Sequence, residues 1–368
     1  MRAVITCGGT GGHITPALAI ADIILQRDPY AKLLFVGGER GMEGELVSDA
    51  GHEIRLLKVR GLERKISFSN LKALYGMHRA VKVAREILFD FSPDIVIGTG
   101  GYACYPALRA ACELGIRTAV HESNATPGLC VRMLARSVDR VWLNFEQAKS
   151  ALPYGTSALV VGNPLPRGYA IPTPVKLVPG TKHFLLSFGG SLGADELNTA
   201  ALSLMERVAE HPDIYYLHAT GKRAYAKEHA RFCERRLDRF PNLSLVPYIT
   251  QMPRYMAAAD LVICRAGAMS VCELAALGKA SILLPSPHVT GDHQRQNALA
   301  PFSRGAALML EGDEISHLSN EVFDLLSDAP RRREMGKRMK EFYLEDANER
   351  IWKDIEKILG FADFVEEK

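Results

Sequence analysis

The chain has 368 residues, of which 47% are hydrophobic and 24% charged, so it has a globular composition and enough length for two domains. Its formal net charge is only +3, which gives no electrostatic indication of nucleic acid binding. No apolar run reaches the roughly 18–20 residues that span a bilayer. The apolar stretch after Met1 is too short for a signal peptide, so we expect the protein to stay in the cytoplasm.

Short β-branched runs alternate with helix-length amphipathic stretches, which is the pattern of a parallel α/β fold. The predicted strands of the first half are Ala3–Cys7, Lys32–Gly37, Glu53–Val59, Asp94–Gly98, Arg117–His121, Arg140–Leu143 and Ala158–Val161. Those of the second half are His183–Phe188, Ile214–Ala219, Leu243–Val246, Leu261–Cys264, Ser281–Leu284 and Ala307–Leu310.

Proline-rich residues 164–180 predict a linker between these halves, because proline disrupts helices and central strands. We therefore predict two tandem Rossmann-like domains, 1–163 and 181–343, that face a cleft. A helix candidate at 344–361 follows, and we expect it to pack back on the first domain.

The first predicted strand leads into the glycine loop Cys7–His13, and we expect a helix to begin near Ile14. Glycines allow a tight turn, and the N–H groups at a helix N-terminus favour an anion. The loop fits neither the Walker A pattern nor GxGxxG, and it leaves two alternatives open. One is a turn without a ligand, and the other is a dinucleotide site in which Glu39 binds the ribose. Glycine loops at 98–102 and 189–193 favour a ligand role.

A further turn, Ala266–Ser270, follows a predicted strand and opens a helix that runs to Leu277. A helix N-terminus without a nearby lysine suits a diphosphate. Glu273 lies about one turn into this helix, where its carboxylate can accept hydrogen bonds from both hydroxyls of a ribose. The alternative is an acidic residue that only stabilises the helix dipole.

Basic and apolar residues alternate between Arg60 and Arg85. This mixture predicts a segment that lies on an anionic membrane surface. The alternative is an ordinary amphipathic helix with a solvated basic face. The seven cysteines form no CxxC pair and no Cys/His metal spacing, so we expect buried free thiols.

Seven sequence segments occur in order along nearly the whole chain, and their combination is more specific than any one of them. They are GGTGGHITPALAIA, GTGGYACYPALRAA, HESNATPG, GNP, FGGSLGADELN, CRAGAMSVCELAALGKASILLP and HQRQNA. Together they resemble the MurG family, the UDP-N-acetylglucosamine:undecaprenyl-pyrophosphoryl-N-acetylmuramoyl-pentapeptide transferases, which make lipid II for peptidoglycan. The resemblance implies a glycosyltransferase-B fold, an inverting reaction and a peripheral position on the cytoplasmic face of the membrane. It implies UDP-N-acetylglucosamine and an undecaprenyl-linked lipid acceptor as partners.

The resemblance also implies which residues bind substrate. In the first domain they are Thr10, Gly11, Gly12 and Asn124, and in the second they are Ser191, Ile249, Ala268, Met269, Ser270, Val271, Cys272, Glu273, His293 and Gln294. It assigns the uracil to the backbone of Ile249, the diphosphate to the amides of 268–270 and the ribose to Glu273. The donor sugar is assigned to Asn124 of the first domain and, through its hydroxyls, to His293 and Gln294 of the second. Some members carry arginine where this chain has Pro166, so we assign Arg167 no role.

The expected reaction is an attack of the acceptor 4-hydroxyl on the anomeric carbon of the donor. His13 is the candidate base because its ring suits proton transfer near neutral pH. The alternative role for His13 is to position the acceptor, and Glu122 is the rival base. No Asp-x-Asp pair is present, so we expect neither a metal nor a cofactor.

Other functions remain open on the same sequence features. The fold also suits a UDP-sugar:diacylglycerol transferase or a UDP-N-acetylglucosamine 2-epimerase. A nicotinamide oxidoreductase built on Glu39 and a non-catalytic nucleotide-sugar binding subunit are the alternatives from other classes.

Overall fold

The computed structural model of the chain describes residues 1–60, 68–169, 171–177, 179–190, 194–287 and 292–361; it leaves the side chains of 68–74 and 167 undescribed. The chain divides into two compact units. The first unit consists of Met1–Pro166 with Leu344–Lys368, and the second is Arg167–Tyr343.

The first unit contains, within its described residues, a seven-stranded parallel sheet. Its strands are β1 (Arg2–Thr6), β2 (Lys32–Gly38), β3 (Ile54–Leu57), β4 (Ile95–Gly98), β5 (Arg117–Glu122), β6 (Arg140–Leu143) and β7 (Ala158–Val160). They lie in the order β3-β2-β1-β4-β5-β6-β7. The order reverses between β1 and β4, and ligands usually bind at the carboxyl ends of strands where such a reversal occurs.

The second unit repeats this design with a six-stranded parallel sheet in its described part. Its strands are β8 (His183–Phe188), β9 (Ile214–Ala219), β10 (Leu243–Val246), β11 (Leu261–Cys264), β12 (Ser281–Leu283) and β13 (Leu308–Met309). Their order, β10-β9-β8-β11-β12-β13, reverses between β8 and β11. The predicted class of two tandem Rossmann-like domains is confirmed.

Helices connect the strands in both units, as parallel neighbours require. The helices of the first unit are α1 (Gly11–Arg27), α2 (Glu43–Asp49), α3 (Phe68–Phe91), α4 (Cys104–Leu114), α5 (Leu129–Leu134) and the late α13 (Ala347–Leu359). Those of the second are α6 (Asp195–Val208), α7 (Tyr225–Glu234), α8 (Met252–Ala258), α9 (Ala268–Leu277), α10 (His293–Ser303), α11 (Leu318–Ser327) and α12 (Ala329–Lys340).

The start of α1 differs from the sequence-based expectation. The helix begins at Gly11, three residues before Ile14, because Thr10 is its extended N-cap residue, with φ −135° and ψ 159°. The two glycines after Thr10 are therefore helical and belong to the first turn. As a consequence, Thr10, Gly11 and Gly12 lie at the N-terminus of the helix, where backbone N–H groups lack intrahelical acceptors.

The C-terminal helix α13 packs against α1 in the first unit. Ile351 and Ile355 are fully buried in the same apolar cluster as α1. Between them Asp354 accepts hydrogen bonds from the Trp142 indole at 2.6 Å and the Arg140 guanidinium at 2.9 Å. A buried carboxylate with two donors is satisfied, so this contact stabilises the return of the chain.

The boundary between the units lies between Pro166 and Arg167, inside the segment 164–180 that the sequence presents as a linker. Leu165 is buried in the first unit, whereas Tyr169 is buried in the second. Val175 donates its N–H to the carbonyl of Arg254 in α8. The described residues after the boundary therefore pack on the second unit.

All seven cysteines are free thiols. Cys7, Cys104, Cys264 and Cys272 are buried, whereas Cys233 is exposed. Burial raises the pKa of the Cys104 thiol to about 12, although hydrogen bonds to its sulfur oppose this. Burial likewise raises the pKa of the Cys7 and Cys264 thiols, so these three remain protonated packing groups at neutral pH.

Candidate active site

In the first unit, the loop after β1 opens α1 at the reversal of strand order. Gly9 adopts a φ of +85°, a conformation that favours glycine, and the chain then enters the helix through the exposed Thr10. The helix dipole and the amides of the first turn make this N-terminus suited to an anion.

The glycine loop after β4 lies directly against the loop after β1. Gly101 has a φ of +83°, and a Cβ there would stand 2.4 Å from the carbonyl oxygen of Gly8. Gly100 has a φ of +98°, and a Cβ there would stand 2.8 Å from Nδ1 of His13. Both positions therefore require glycine, because any side chain would push the two loops apart.

His13 is held by Thr99, the first residue of the loop after β4. Its Nδ1 lies 3.0 Å from the Thr99 carbonyl oxygen, and the Thr99 hydroxyl donates to the His13 carbonyl at 2.7 Å. A carbonyl oxygen can only accept, so the hydrogen-bond geometry assigns the ring proton to Nδ1. In the neutral ring the lone pair is then on Nε2, which is the atom able to accept a proton.

Glu122 organises the loop that follows β5. Its Oε1 accepts hydrogen bonds from the backbone N–H and the side-chain amide of Asn124, each at 2.9 Å, and its Oε2 accepts from the N–H of Gly128 at 2.7 Å. The carboxylate is almost fully buried. Three donors stabilise its charge, and this arrangement holds the half-buried Asn124 at the end of β5.

Glu43, which belongs to none of the sequence motifs, lies beside the first glycine loop. The residue is fully buried at the start of α2, and its Oε1 accepts from the N–H of Gly9 at 2.8 Å and of Gly38 at 3.2 Å. Glu43 thereby links the loop after β1 to the last residue of β2. Its sequence position in the first turn of a helix would suggest only a favourable interaction with the helix dipole.

In the second unit, the turn after β11 opens α9 in the same manner. Gly267 is the extended N-cap residue, and the helix begins at Ala268. The buried side-chain amide of Asn297 in α10 donates to the carbonyl of Ala266 at 3.2 Å and so fixes the turn. Residues 268–272 are the predicted diphosphate-binding residues and their neighbours in the first turns of α9. Ser270 is half-buried, and the other four are buried.

Glu273 lies one turn into α9, where it is half-buried and faces the turn that carries Tyr169. Removal from water raises the pKa of Glu273 to about 7, and the nearby Tyr169 hydroxyl opposes that rise. Tyr169 is 5% exposed and comes from a short 3-10 turn at Arg167–Tyr169 that contacts α8 and α9. No sequence feature predicts this contact, because the proline-rich segment 164–180 has the composition of a linker.

The remaining predicted donor residues lie in other connections and helices of the second unit. Ile249 is buried in the connection between β10 and α8. His293 and Gln294 open α10, and Oε1 of Gln294 accepts the N–H of Ser286 at 2.9 Å. Ser191 lies outside the described residues. Glu39, the ribose-binding acid of the dinucleotide alternative, is exposed directly after β2.

Two buried histidines lie beneath these loops. His121 is fully buried, with Nε2 at 2.9 Å from the Gly162 carbonyl, and burial lowers its pKa to about 4. His218 in β9 is fully buried between the Ser187 hydroxyl at 2.6 Å and the Asn198 amide oxygen at 3.0 Å, and burial lowers its pKa to about 4 as well. Both rings are therefore neutral at pH 7.

We expect the free energy of unfolding to fall as the pH is lowered from about 6.5 to about 4. In that window the unfolded chain binds protons at both histidines while the folded chain does not, so each ring costs up to about 3 kcal/mol. Urea unfolding at several pH values measures this loss. In His218→Gln, the part of the pH dependence due to that ring should disappear, and an unchanged pH dependence would contradict the assignment.

No group of three or more His, Cys, Asp or Glu side chains in the described part of the chain is arranged to hold a metal ion. The predicted site residues supply backbone amides, the imidazoles of His13 and His293, and isolated carboxylates.

Comparisons with known proteins agree with this arrangement of two units. Residues 3–143 match the glycosyltransferase family 28 N-terminal domain, and residues 184–351 match its C-terminal domain. The chain is 39% identical over 367 residues to the UDP-N-acetylglucosamine--N-acetylmuramyl-(pentapeptide) pyrophosphoryl-undecaprenol N-acetylglucosamine transferase of Acetivibrio thermocellus, with 98% of each chain covered. The Bacillus licheniformis protein of that name is 36% identical and covers 98% of this chain.

Two solved structures superimpose on nearly the whole chain. MurG of Acinetobacter baumannii superimposes with a TM-score of 0.70 at 26% identity, and the match covers 97% of this chain and 99% of that one. The UDP-N-acetylglucosamine 2-epimerase of Neisseria meningitidis, solved with UDP-N-acetylglucosamine, has a TM-score of 0.67 at 15% identity, with 97% of this chain and 100% of that one covered. Identity at that level indicates a shared fold and nothing more.

Proposed function

Because the chain belongs to the MurG family within glycosyltransferase family 28, we propose that it transfers N-acetylglucosamine from UDP-N-acetylglucosamine to N-acetylmuramoyl-pentapeptide on undecaprenyl diphosphate. The attacking group is the 4-hydroxyl of the acceptor sugar, and the displacement inverts the anomeric centre. The observation that carries this proposal is the near full-length similarity to transferases of that name. The product is lipid II of peptidoglycan synthesis.

The donor binds to the second unit in this proposal. The backbone amides at 268–270 hold the diphosphate, since a helix N-terminus concentrates N–H donors and positive dipole charge. Glu273 accepts hydrogen bonds from the ribose hydroxyls, and the backbone of Ile249 contacts the uracil. His293 and Gln294 bind the hydroxyls of the sugar. As the bond to the sugar breaks, the same amides stabilise the negative charge of the leaving UDP.

The acceptor binds to the first unit, where Thr10, Gly11 and Gly12 open α1. Nε2 of His13 then takes the proton from the attacking hydroxyl, because the Thr99 carbonyl holds the ring proton on Nδ1. Glu122 is the rival, but its buried carboxylate oxygens already accept three N–H hydrogen bonds and leave fewer lone pairs for the proton of the attacking hydroxyl.

The decisive experiment incubates the protein with labelled UDP-N-acetylglucosamine and a lipid I analogue in the presence of EDTA. The expected result is labelled lipid product, together with UDP release that depends on the lipid. UDP release without lipid would indicate the epimerase alternative, and loss of activity on chelation would contradict diphosphate binding by amides alone. Tight UDP binding without turnover would indicate a binding subunit.

We further propose that the protein binds peripherally to the anionic cytoplasmic face of the membrane through α3. No helix in the described residues has the length and apolar content to cross a bilayer. Ala80, Ala84 and Leu88 of α3 are buried, whereas Arg79 and Lys82 are exposed. Tyr75 at 67% exposed and Phe89 at 76% add apolar groups to the exposed surface. The residues 61–67 of the predicted membrane segment lie outside the described part.

Reversing two charges on α3, in Arg79→Glu/Lys82→Glu, should weaken binding to vesicles that contain phosphatidylglycerol by about tenfold or more, since each basic residue near the surface contributes about 1 kcal/mol. Co-sedimentation at low and high salt measures the effect. The matched control is Arg333→Glu/Lys337→Glu on the exposed face of α12, which should bind like the parent protein. Equal binding to neutral and anionic vesicles would contradict an electrostatic contact.

A further inference from the structure

The connection between β2 and α2 forms a close-fitting cradle around the side chain of Glu43. A Cβ at Gly41 would stand 1.6 Å from Oε2 of Glu43, and one at Gly37 would stand 2.9 Å from the Glu43 Cβ. Distances this short leave no room for a side chain at either position, so the two glycines admit Glu43 to its fully buried place. The cradle thereby fixes the carboxylate beside Gly9 of the first glycine loop.

Only one oxygen of this carboxylate accepts hydrogen bonds from the described residues. Oε1 accepts the N–H of Gly9 at 2.8 Å and that of Gly38 at 3.2 Å. Oε2 is buried and has no hydrogen-bond partner in the described part of the chain. A buried polar atom without a partner lowers the free energy of unfolding, so stability by itself does not explain a carboxylate at this position.

The contact with Gly9 determines where the first turn of α1 lies. From the side of β4, the glycine loop after β1 packs on the loop that contains the second glycine pair. From the side of β2, Glu43 binds the N–H of Gly9, whose φ of +85° leads the chain into the extended N-cap residue Thr10. The Thr10 carbonyl in turn accepts the N–H of His13 at 3.0 Å. A displacement of Gly9 would therefore move both the N-terminus of the helix and the candidate base.

We propose that Glu43 is a positioning residue of the acceptor site, which holds the glycine loop so that the first turn of α1 receives the acceptor and His13 reaches its 4-hydroxyl. This inference rests on the proposed function. Glu43 is fully buried, so it acts through the loop and does not touch the acceptor. Its role requires an oxygen that accepts two N–H groups. A glutamine amide oxygen meets this requirement, whereas a methionine of similar length offers only a weakly accepting sulfur.

The kinetic test compares the parent protein with Glu43→Met and Glu43→Gln. In Glu43→Met, kcat/KM for a lipid I analogue should fall by about tenfold to hundredfold, because a displacement of about 1 Å in a positioning element has an effect of that size. The dissociation constant of UDP-N-acetylglucosamine, measured by calorimetry, should not change, since the UDP group is proposed to bind to the second unit. Glu43→Gln should retain most of the activity, because its amide oxygen replaces Oε1.

Hydrogen exchange reports on the loop without any substrate. Peptides that cover residues 7–13 should exchange faster in Glu43→Met than in the parent protein, because the N–H of Gly9 has lost its acceptor. In Glu43→Gln the exchange of the same peptides should remain close to that of the parent protein. Mass spectrometry of the folded proteins measures both rates.

A matched control removes a similar contact at the opposite edge of the same sheet. Asp139, which precedes β6, accepts the N–H of Thr118 at 2.7 Å and its hydroxyl at 2.9 Å near the start of β5. Asp139→Ala should lower the melting temperature, as Glu43→Met should, because each variant leaves a backbone N–H without its acceptor. The control should nevertheless keep the parental kcat, acceptor KM and donor affinity.

Parental kcat/KM in Glu43→Met, or an equal loss in Asp139→Ala, would overturn the inference while the proposed function stood. An equal loss in Glu43→Gln would overturn it as well, since an accepting oxygen would then not be what the loop requires. Failure of the parent protein to form lipid product would instead overturn the proposed function, and the inference with it.

Discussion

Replacing His13 with alanine should lower kcat by about 10²–10⁴-fold, the usual contribution of a positioned general base. The affinity for UDP-N-acetylglucosamine should remain unchanged, because His13 lies in the first unit and the residues proposed to hold the UDP group lie in the second. Single-turnover kinetics with saturating donor and a lipid I analogue measure the first quantity, and calorimetry measures the second. The expectation follows from the hydrogen bond between Nδ1 and the Thr99 carbonyl, which assigns the proton-accepting lone pair to Nε2.

A second variant tests the position of the ring without removing it. Gly100→Ala introduces a Cβ that would lie 2.8 Å from Nδ1 of His13, at a φ of +98° that alanine rarely adopts. It should lower kcat as well, since the imidazole must move. A loss of only a few-fold in His13→Ala would remove His13 from the role of base. If Glu122→Gln then lost more activity than His13→Ala, the rival carboxylate would be the base.

Replacing Ala268 with proline should weaken binding of UDP-N-acetylglucosamine by about tenfold to hundredfold without unfolding the helix. Ala268 is the first residue of α9, a position where proline is favoured because its missing N–H has no intrahelical acceptor. Gly267 has φ −63° and ψ 142°, which suits the residue before a proline. The substitution therefore removes one proposed diphosphate ligand and leaves the helix intact.

The matched control for this experiment is Ala268→Ser, which retains the backbone N–H and should bind the donor like the parent protein. Thermal unfolding should give Ala268→Pro a stability equal to or slightly above that of the parent, since proline restricts the unfolded chain. Undiminished donor affinity in the proline variant would show that the diphosphate does not bind the amide of Ala268.

The sequence was sufficient to predict the arrangement of strands. Each of the thirteen predicted strands is present, with ends within two residues of the prediction, because buried parallel strands require apolar β-branched runs that few other elements tolerate. The glycine loops after β1, β4 and β11 could also be predicted, since tight strand-to-helix turns need glycine. The exact start of α1 could not be predicted, because helical glycines and loop glycines look the same in sequence.

The sequence alone thus determined the fold class, the family and the two glycine loops that lead into α1 and α9, since these depend on local patterns of apolar residues and glycines. Only the tertiary structure decided which side chains meet them. Thr99 reaches His13 across 86 residues and Glu43 reaches Gly9 across 34. The turn at Arg167–Tyr169 packs on α8 and α9 from a segment that the sequence presented as a linker. Such partners are set by sheet order and packing, which bring residues together at strand ends without leaving any periodic signal in the chain.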